Sequence, residues 1–142
     1  MANTLYNVAR EKFLTGDMSW RDHAFKVCLV HTGTGAYTFA ATHTSKSDLG
    51  TSVNSGTGSD QLLQNKTYAL GAAGASNVTF TTVSATSGNP TIEAIVIYRD
   101  NTSDGTTTLV AFIDTATGLP ITPNGGDIIV TWDTGTNKIF RL

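Results

Sequence analysis

The last third of the chain, residues 91–142, constrains the fold most, because short apolar runs alternate there with sharp turns. These runs are rich in β-branched and aromatic residues, which favour a pleated, half-buried surface. Turn formers separate the runs, among them Pro120, Pro123 and the pair Gly125–Gly126. The four predicted strands are Thr91–Tyr98, Thr106–Asp114, Asp127–Asp133 and Lys138–Leu142. This pattern predicts a mainly β fold, either an antiparallel β-sandwich or a small β-barrel.

Side-chain alternation predicts which face each residue of these strands occupies. In Thr106–Asp114, we expect Leu109, Ala111 and Ile113 on one face, and Val110 and Phe112 on the other. The last strand, Lys138–Leu142, is predicted to pair with Ile128–Trp132. Phe140 and Leu142 would then face inward.

The middle of the chain predicts further strands joined by polar connections. Within Ala24–His31, we expect Phe25, Val27 and Leu29 to share one face. The other predicted segments are a returning strand at Ala36–His43, an extended segment at Gln61–Leu70, a flexible break at Gly71–Ser76 and a strand at Asn77–Ser84. The Ser-, Thr- and Gly-rich segment Thr44–Asp60 is expected to form a long excursion loop. Loops of that length are usually functional or held by a partner.

The N-terminal segment predicts a short helix through Phe13 or Leu14. Asn3 or Thr4 would cap its start, and Gly16 would end it. A helix of about three turns is marginal alone and must dock on something. Two interpretations stay open: the helix lies on its own sheet, or it is an arm that reaches a neighbouring subunit. The expected organisation is an arm or short helix at residues 1–16, followed by a single β domain at residues 17–142.

Composition limits the partners that the chain can bind. Only 14% of residues are charged and the formal net charge is −2, so there is no basic stripe for nucleic acid. No apolar run approaches the roughly 20 residues of a membrane span, and we expect no membrane association. The single cysteine, Cys28, cannot form an internal disulfide and fits assembly in a reducing cytoplasm.

Candidate chemical sites find little support in the sequence. His23, His31 and His43 lack the close spacing of zinc ligands, although His31 and His43 could meet across a hairpin. Asp100–Gly105 begins like a calcium loop, but Ala111 stands where a bidentate glutamate is needed. We therefore expect no catalytic residues, no cofactor, no metal and no enzymatic activity.

Aromatic residues allow one other kind of binding site, a platform on which sugars stack. The residues concerned are Trp20, Tyr37, Tyr68 and Trp132. Such aromatics more often belong to a core or an interface.

Several segments resemble small virion structural proteins of tailed bacteriophages. The similarity begins at Phe25–His31 with Ala36–Phe39. It is stronger in the segments Ile92–Asp100, Leu109–Asp114, Gly118–Asp133 and Ile139–Leu142. Among such proteins, capsid decoration (cement) proteins fit best in size and β content. The resemblance implies a protein on the capsid exterior that binds the major capsid protein and is assembled in the host cytoplasm. The runner-up is a small tail or head-fibre protein, with a possible glycan-binding role in host adsorption.

A capsid-binding protein needs contact residues, and the N-terminal segment and the long loop are the expected sources. The residues predicted to contact a partner are Leu5, Tyr6, Val8, Phe13, Trp20, Leu49 and Val53. The weakly charged, threonine-rich surface also favours self-association as a homotrimer or homodimer, because closed symmetric assemblies are the common solution.

Overall fold

The structure is a computed structural model that describes residues 3–32, 36–53, 60–85, 91–101 and 106–142. In chain order, the elements are β1 (Thr4–Leu5), α1 (Asn7–Thr15), β2 (Phe25–Val30), a 3-10 helical segment (Lys46–Ser52), β3 (Gln61–Leu62), β4 (Thr67–Ala69), β5 (Ala72–Gly74), β6 (Val78–Phe80), β7 (Ala94–Arg99), β8 (Thr108–Ile113), β9 (Ile128–Val130) and β10 (Phe140–Arg141).

All strand pairs are antiparallel and form three sheets. The largest has five strands in the order β1-β8-β7-β2-β3. A three-stranded sheet has the order β10-β5-β4, and β6 pairs with β9. Side chains from one face of the large sheet share a single buried cluster with side chains from both smaller sheets. The prediction of a mainly β, antiparallel sandwich is therefore confirmed.

Strand β2 follows the predicted alternation. Phe25, Val27 and Leu29 belong to the core between the sheets, whereas Cys28 and Val30 belong to a second buried cluster on the opposite face. Both faces of the five-stranded sheet are thus covered, which explains why its central strands are apolar on both sides.

Strand β8 departs from simple alternation because its pairing with β7 shifts register between Ile97 and Tyr98. Ile97 pairs with Ala111 and Tyr98 with Leu109, which leaves Val110 as the extra residue of a β-bulge. Ala111 and Ile113 lie in the core between the sheets as predicted, and Val110 joins them there. Leu109 and Phe112 lie together on the opposite face. The predicted face of Leu109 and Val110 was wrong because a bulge reverses the phase of alternation.

Helix α1 ends as predicted at Gly16, which has the left-handed φ of 81° typical of a helix C-cap. It begins later than predicted, at Asn7. Neither Asn3 nor Thr4 caps it, because Thr4 belongs to β1, which is the edge strand beside β8.

The N-terminal segment is docked on its own sheet. The amide of Tyr6 donates to the carbonyl oxygen of Val110 at 3.0 Å, and the amide of Asn7 donates to Ala41 at 3.0 Å. Ala9 is fully buried in the core between the sheets. The helix therefore lies on its own sheet, which was the first of the two interpretations.

The excursion after β2 covers the outer face of the five-stranded sheet. The returning strand predicted at Ala36–His43 is absent from the described part of that range, residues 36–43, because this segment packs across the sheet instead of pairing with it. Tyr37 and Leu49 are buried there, at 4% and 1% exposure. The predicted loop Thr44–Asp60 contains the 3-10 segment, and its residues 54–59 lie outside the described residues.

Three predictions that concern β5 and the last strand were wrong. Gly71–Ser76 is not a flexible break, because residues 72–74 form β5, the central strand of the three-stranded sheet. The last strand pairs with β5 through Phe140 and Arg141, and not with Ile128–Trp132, whose residues 128–130 pair with β6. Leu142 does not face inward and is 64% exposed.

Candidate docking surface

The residues predicted to contact a partner fall into two groups. Leu5, Tyr6, Trp20 and Leu49 are buried within the chain's own core. Val8, Phe13 and Val53 are partly buried, and each packs against one of the two clusters. The second group alone keeps surface that a partner can touch without a rearrangement, and its contact with a partner stays a prediction.

Large apolar side chains are exposed where β10 meets the β4–β5 hairpin. Tyr68 is 58% exposed, Leu70 85% and Leu142 64%. Together with Phe13 and Phe140 they line an open cleft of about 340 Å³. These five residues form what we term the hairpin surface. Large apolar residues gathered in one place on the outside of a domain are typical of an interaction site.

The tip of this hairpin has a backbone that does not suit its sequence. Leu70 and Gly71 form the two-residue loop between β4 and β5, and both have positive φ, 52° and 80°. A two-residue loop of this kind strongly prefers asparagine, aspartate or glycine, and a left-handed residue with a side chain costs about 1–2 kcal/mol. The amide of Leu142 donates to the carbonyl oxygen of Gly71 at 3.0 Å, which ties the last residue to the turn. The fold therefore accepts strain to hold a leucine out in solvent.

Aromatic packing supports this surface from below. The ring of Phe140 lies 6.0 Å from that of Phe13 and 5.2 Å from that of Trp20, measured between centroids. The indole N–H of Trp20 is directed at the carbonyl oxygens of Thr67 and Gly74, at 3.1 and 3.2 Å. These contacts connect α1, β4, β5 and β10, so the surface rests on several packed elements.

One side of the hairpin surface carries an ion pair. The Nε–H of Arg21 donates to Oδ1 of Asp22 at 2.8 Å, and this guanidinium lowers the pKa of the Asp22 carboxyl to about 2. Asp22 also accepts a hydrogen bond from the hydroxyl of Ser19. Hydrogen bonds to Asp22 and then Tyr68 raise the pKa of Arg21. Because the two charges cancel, this side adds no net charge to the surface.

A second, polar cleft of about 430 Å³ lies beside Trp132 and is lined by Asn65, Asp133 and Lys138 among others. The Trp132 indole is only 8% exposed, and its N–H donates to the carbonyl oxygen of Ser76 at 3.1 Å. The other aromatics considered for sugar stacking are separated from it. Trp20 and Tyr37 are buried, and only Tyr68 has an exposed ring.

The three histidines each make a different hydrogen bond. His23 accepts from the Ser19 amide, His31 donates from Nδ1 to the Thr91 carbonyl oxygen, and Nδ1 of His43 lies 2.8 Å from the Tyr37 hydroxyl. In the parts of the chain that the structure describes, no group of three or more His, Cys, Asp or Glu residues could hold a metal ion. Most of the calcium-like stretch, residues 102–105, lies outside the described residues.

Sequence reasoning singled out Tyr68 only as a candidate for sugar stacking and did not predict the exposure of Leu70 and Leu142. Tyr68 and Leu70 were assigned to an extended segment and Leu142 to the interior. The sequence signal that could have revealed them is Leu70–Gly71, a glycine-containing pair between two short runs that pair as strands.

Comparison with protein-family models gives no match for this chain, and comparison with curated proteins gives none either. Within the described residues, no helix has the length and apolar character needed to cross a membrane.

Proposed function

We propose that this protein is a non-enzymatic structural protein of a tailed-bacteriophage virion. It binds the outside of the capsid and stabilises contacts between subunits of the major capsid protein. The observation that carries the proposal is Leu70, which is 85% exposed in left-handed backbone. The sequence resemblance supplies the kind of partner.

The energetics of Leu70 favour a docking function. Left-handed backbone at a residue with a side chain costs about 1–2 kcal/mol. In the free protein, the exposed Leu70 side chain buries too little surface to offset that cost. Burying that side chain against a partner contributes about 1.5–3 kcal/mol, which offsets the cost. Docking on a partner therefore compensates a backbone cost that the free protein leaves uncompensated.

The architecture suits a small clamp. Both faces of the central sheet are covered, so contact falls to the outer surfaces and sheet edges. Specific interfaces bury about 1,200–2,000 Å² in total, more than a single hairpin tip supplies. The partly exposed Val8 and Phe13 of α1 extend the contact beyond the hairpin, and Val53 on the outer cover is a further candidate.

In this proposal, the protein is assembled in the host cytoplasm and resides on the capsid exterior. It forms a homotrimer or homodimer at symmetry axes of the shell, where one copy of a contact is repeated by symmetry. Light scattering of the purified protein distinguishes these states from a monomer.

Localisation on intact particles tests the proposal directly. Antibodies against this protein are applied to virions and viewed by electron microscopy, and purified protein is sedimented with heads that lack it. Labelled capsids and co-sedimentation with heads are the expected results. Unlabelled capsids together with no binding to heads would overturn the proposal.

The alternative is a small tail or head-fibre protein with a glycan-binding role. The polar cleft beside Trp132 is the observation that favours it, because amide, carboxylate and ammonium groups there can hydrogen-bond sugar hydroxyls. Label found on tails alone, with binding on a glycan array that Asp133→Ala abolishes, would establish this alternative in place of the first.

A further inference from the structure

Two arginines line one cleft between the edge strands of two different sheets. The cleft has a volume of about 180 Å³ and lies between β1 and β10. Arg10 and Arg141 belong to its lining and are both exposed. Phe112, Ile113 and Phe140 contribute apolar surface to the same lining. The lining of this cleft therefore combines two arginines with apolar surface, and the Arg141 side chain also lies close to Gly71 at the hairpin turn.

Most other basic residues are already engaged. Arg21, Lys26 and Lys46 have carboxylate partners at 2.8, 2.9 and 2.7 Å, on Asp22, Asp100 and Asp60 respectively. Lys66 and Arg99 donate to backbone carbonyl oxygens. Among the described residues, Arg10, Lys12, Lys138 and Arg141 have neither a carboxylate partner nor a side-chain hydrogen bond to a backbone carbonyl oxygen.

Arg10 and Arg141 place two positive charges at one cleft of a chain whose formal net charge is −2. These charges complement an acidic partner and are opposite in sign to the protein as a whole. Arginine is the residue best suited to this role, since its planar guanidinium matches a carboxylate in a two-point hydrogen bond.

The walls of the cleft favour an extended ligand. Strands β1 and β10 are terminal strands of their sheets, and each pairs on one side only. Free strand edges accept an extended peptide, whose side chains alternate between two directions. One set of side chains can then rest on the apolar floor while the other set reaches the arginines at the rim.

We propose that this cleft binds an extended segment of a partner protein in which apolar and acidic residues alternate, with a carboxylate held by Arg10 and Arg141. The cleft shares one lining residue, Phe140, with the hairpin surface. Naming the major capsid protein as that partner rests on the proposed function. The inference that the cleft binds an acidic, extended segment does not depend on that function.

A direct binding experiment uses a blocked peptide, acetyl-Val-Glu-Val-Glu-Val-amide, with the full-length protein. The readout is the arginine Nε–Hε signals in nuclear magnetic resonance spectra. We expect saturable shifts at Arg10 and Arg141, and none with the lysine counterpart of the peptide. The double variant R10Q/R141Q should weaken binding by about tenfold or more, since it removes both charged donors. R99Q, which removes one positive charge elsewhere, is the matched control.

The outcome that overturns the inference is the absence of saturable shifts in the wild-type protein, or equal peptide affinity in wild type and double variant at equal thermal stability. Sedimentation with heads separates this failure from failure of the proposed function. Heads that bind wild type and R10Q/R141Q equally contradict the capsid protein as the partner of this cleft and leave capsid binding by the rest of the protein intact. Peptide binding without head binding supports the cleft and contradicts the capsid assignment.

Discussion

The phenol oxygens of Tyr6 and Tyr37 lie 3.0 Å apart inside the cluster that covers the outer face of the five-stranded sheet. The Tyr37 oxygen also lies 2.8 Å from Nδ1 of His43. The N-terminal segment and the excursion after β2 are thus joined through a buried polar contact. Burial first, and then the hydrogen bond to Tyr37, raises the pKa of Tyr6 far above its ordinary value.

This raised pKa predicts loss of stability in alkali. An unfolded tyrosine has a pKa near the ordinary value of 10.0, whereas Tyr6 keeps its proton above that pH in the folded state. Above that pH the unfolded state binds fewer protons than the folded state, so the free energy of unfolding falls as pH rises. Tyr6→Phe should lower the free energy of unfolding by about 1 kcal/mol at pH 7, because a hydrogen bond is lost. Above pH 10, the free energy of unfolding of this variant should fall less steeply with pH than that of the wild type.

Urea unfolding between pH 7 and 11 measures both effects. Tyr68→Phe, which removes a hydroxyl from an exposed ring, is the matched control and should leave stability at pH 7 nearly unchanged. Parallel pH profiles for wild type and Tyr6→Phe would show that Tyr6 does not contribute to the alkaline loss.

Asp48 should make a contribution to stability that is lost in acid. Its Oδ2 accepts hydrogen bonds from the amides of Ser45 and Thr44 at 3.0 and 2.8 Å, which lower its pKa below the ordinary 3.8. A lowered pKa means that the stabilisation is present above the ordinary value and is lost as pH falls through the folded-state value. Asp48→Ala should cost about 1 kcal/mol at pH 7, the usual worth of a helix cap. Thermal melts should show a smaller difference in stability between wild type and Asp48→Ala at pH 2.5 than at pH 7. An equal difference at both pH values would contradict a stabilising role of the ionised carboxylate.

Truncation of the N-terminal segment should unfold the protein or destabilise it strongly. Deletion of residues 2–14 removes strand β1 and the buried side chains of Leu5, Tyr6 and Ala9. Loss of one large buried side chain alone costs about 2–5 kcal/mol, a large part of a domain's total stability. Circular dichroism melts of the truncated chain test this, with Leu14→Ser, at an 88% exposed position, as the control expected to melt like wild type. A truncated chain that melts like wild type would instead support a dispensable arm.

Much of the fold was predictable because it depends on local patterns. Alternation in Phe25–Val30 and the turn residues after it identify a strand with two buried faces, and Gly16 ends the helix as expected. Pairing partners were not predictable in the same way. The last strand pairs with Ala72–Gly74, three small residues that look like a linker until a neighbouring strand is placed beside them.

The candidate surface was harder to predict than the fold. Exposure of Tyr68 and Leu142 depends on where β4 and β10 lie in space, which composition does not reveal. The bulge at Val110 is also invisible in the sequence, since either phase of alternation places apolar residues on both faces of β8. The predicted contact residues Tyr6 and Leu49 are apolar for a different reason, because they belong to the chain's own core.

Substitution of Leu70 should affect stability and binding in opposite directions. Asparagine tolerates left-handed backbone and is preferred before glycine in a tight hairpin turn. Leu70→Asn should therefore raise the free energy of unfolding, by about 1 kcal/mol. The same change removes an apolar side chain worth about 1.5–3 kcal/mol on burial, so binding to capsids should weaken about tenfold or more.

The affinity of Leu70→Asn for heads that lack this protein, measured together with its melting temperature, tests whether the hairpin surface docks on the capsid. Ile129→Thr is the matched control, because Ile129 is 65% exposed on a different sheet. We expect Leu70→Asn to melt at or above the wild-type temperature yet to bind heads about tenfold more weakly, and Ile129→Thr to bind heads like wild type. Wild-type affinity in a folded Leu70→Asn variant would contradict the claim that the hairpin surface docks on the capsid.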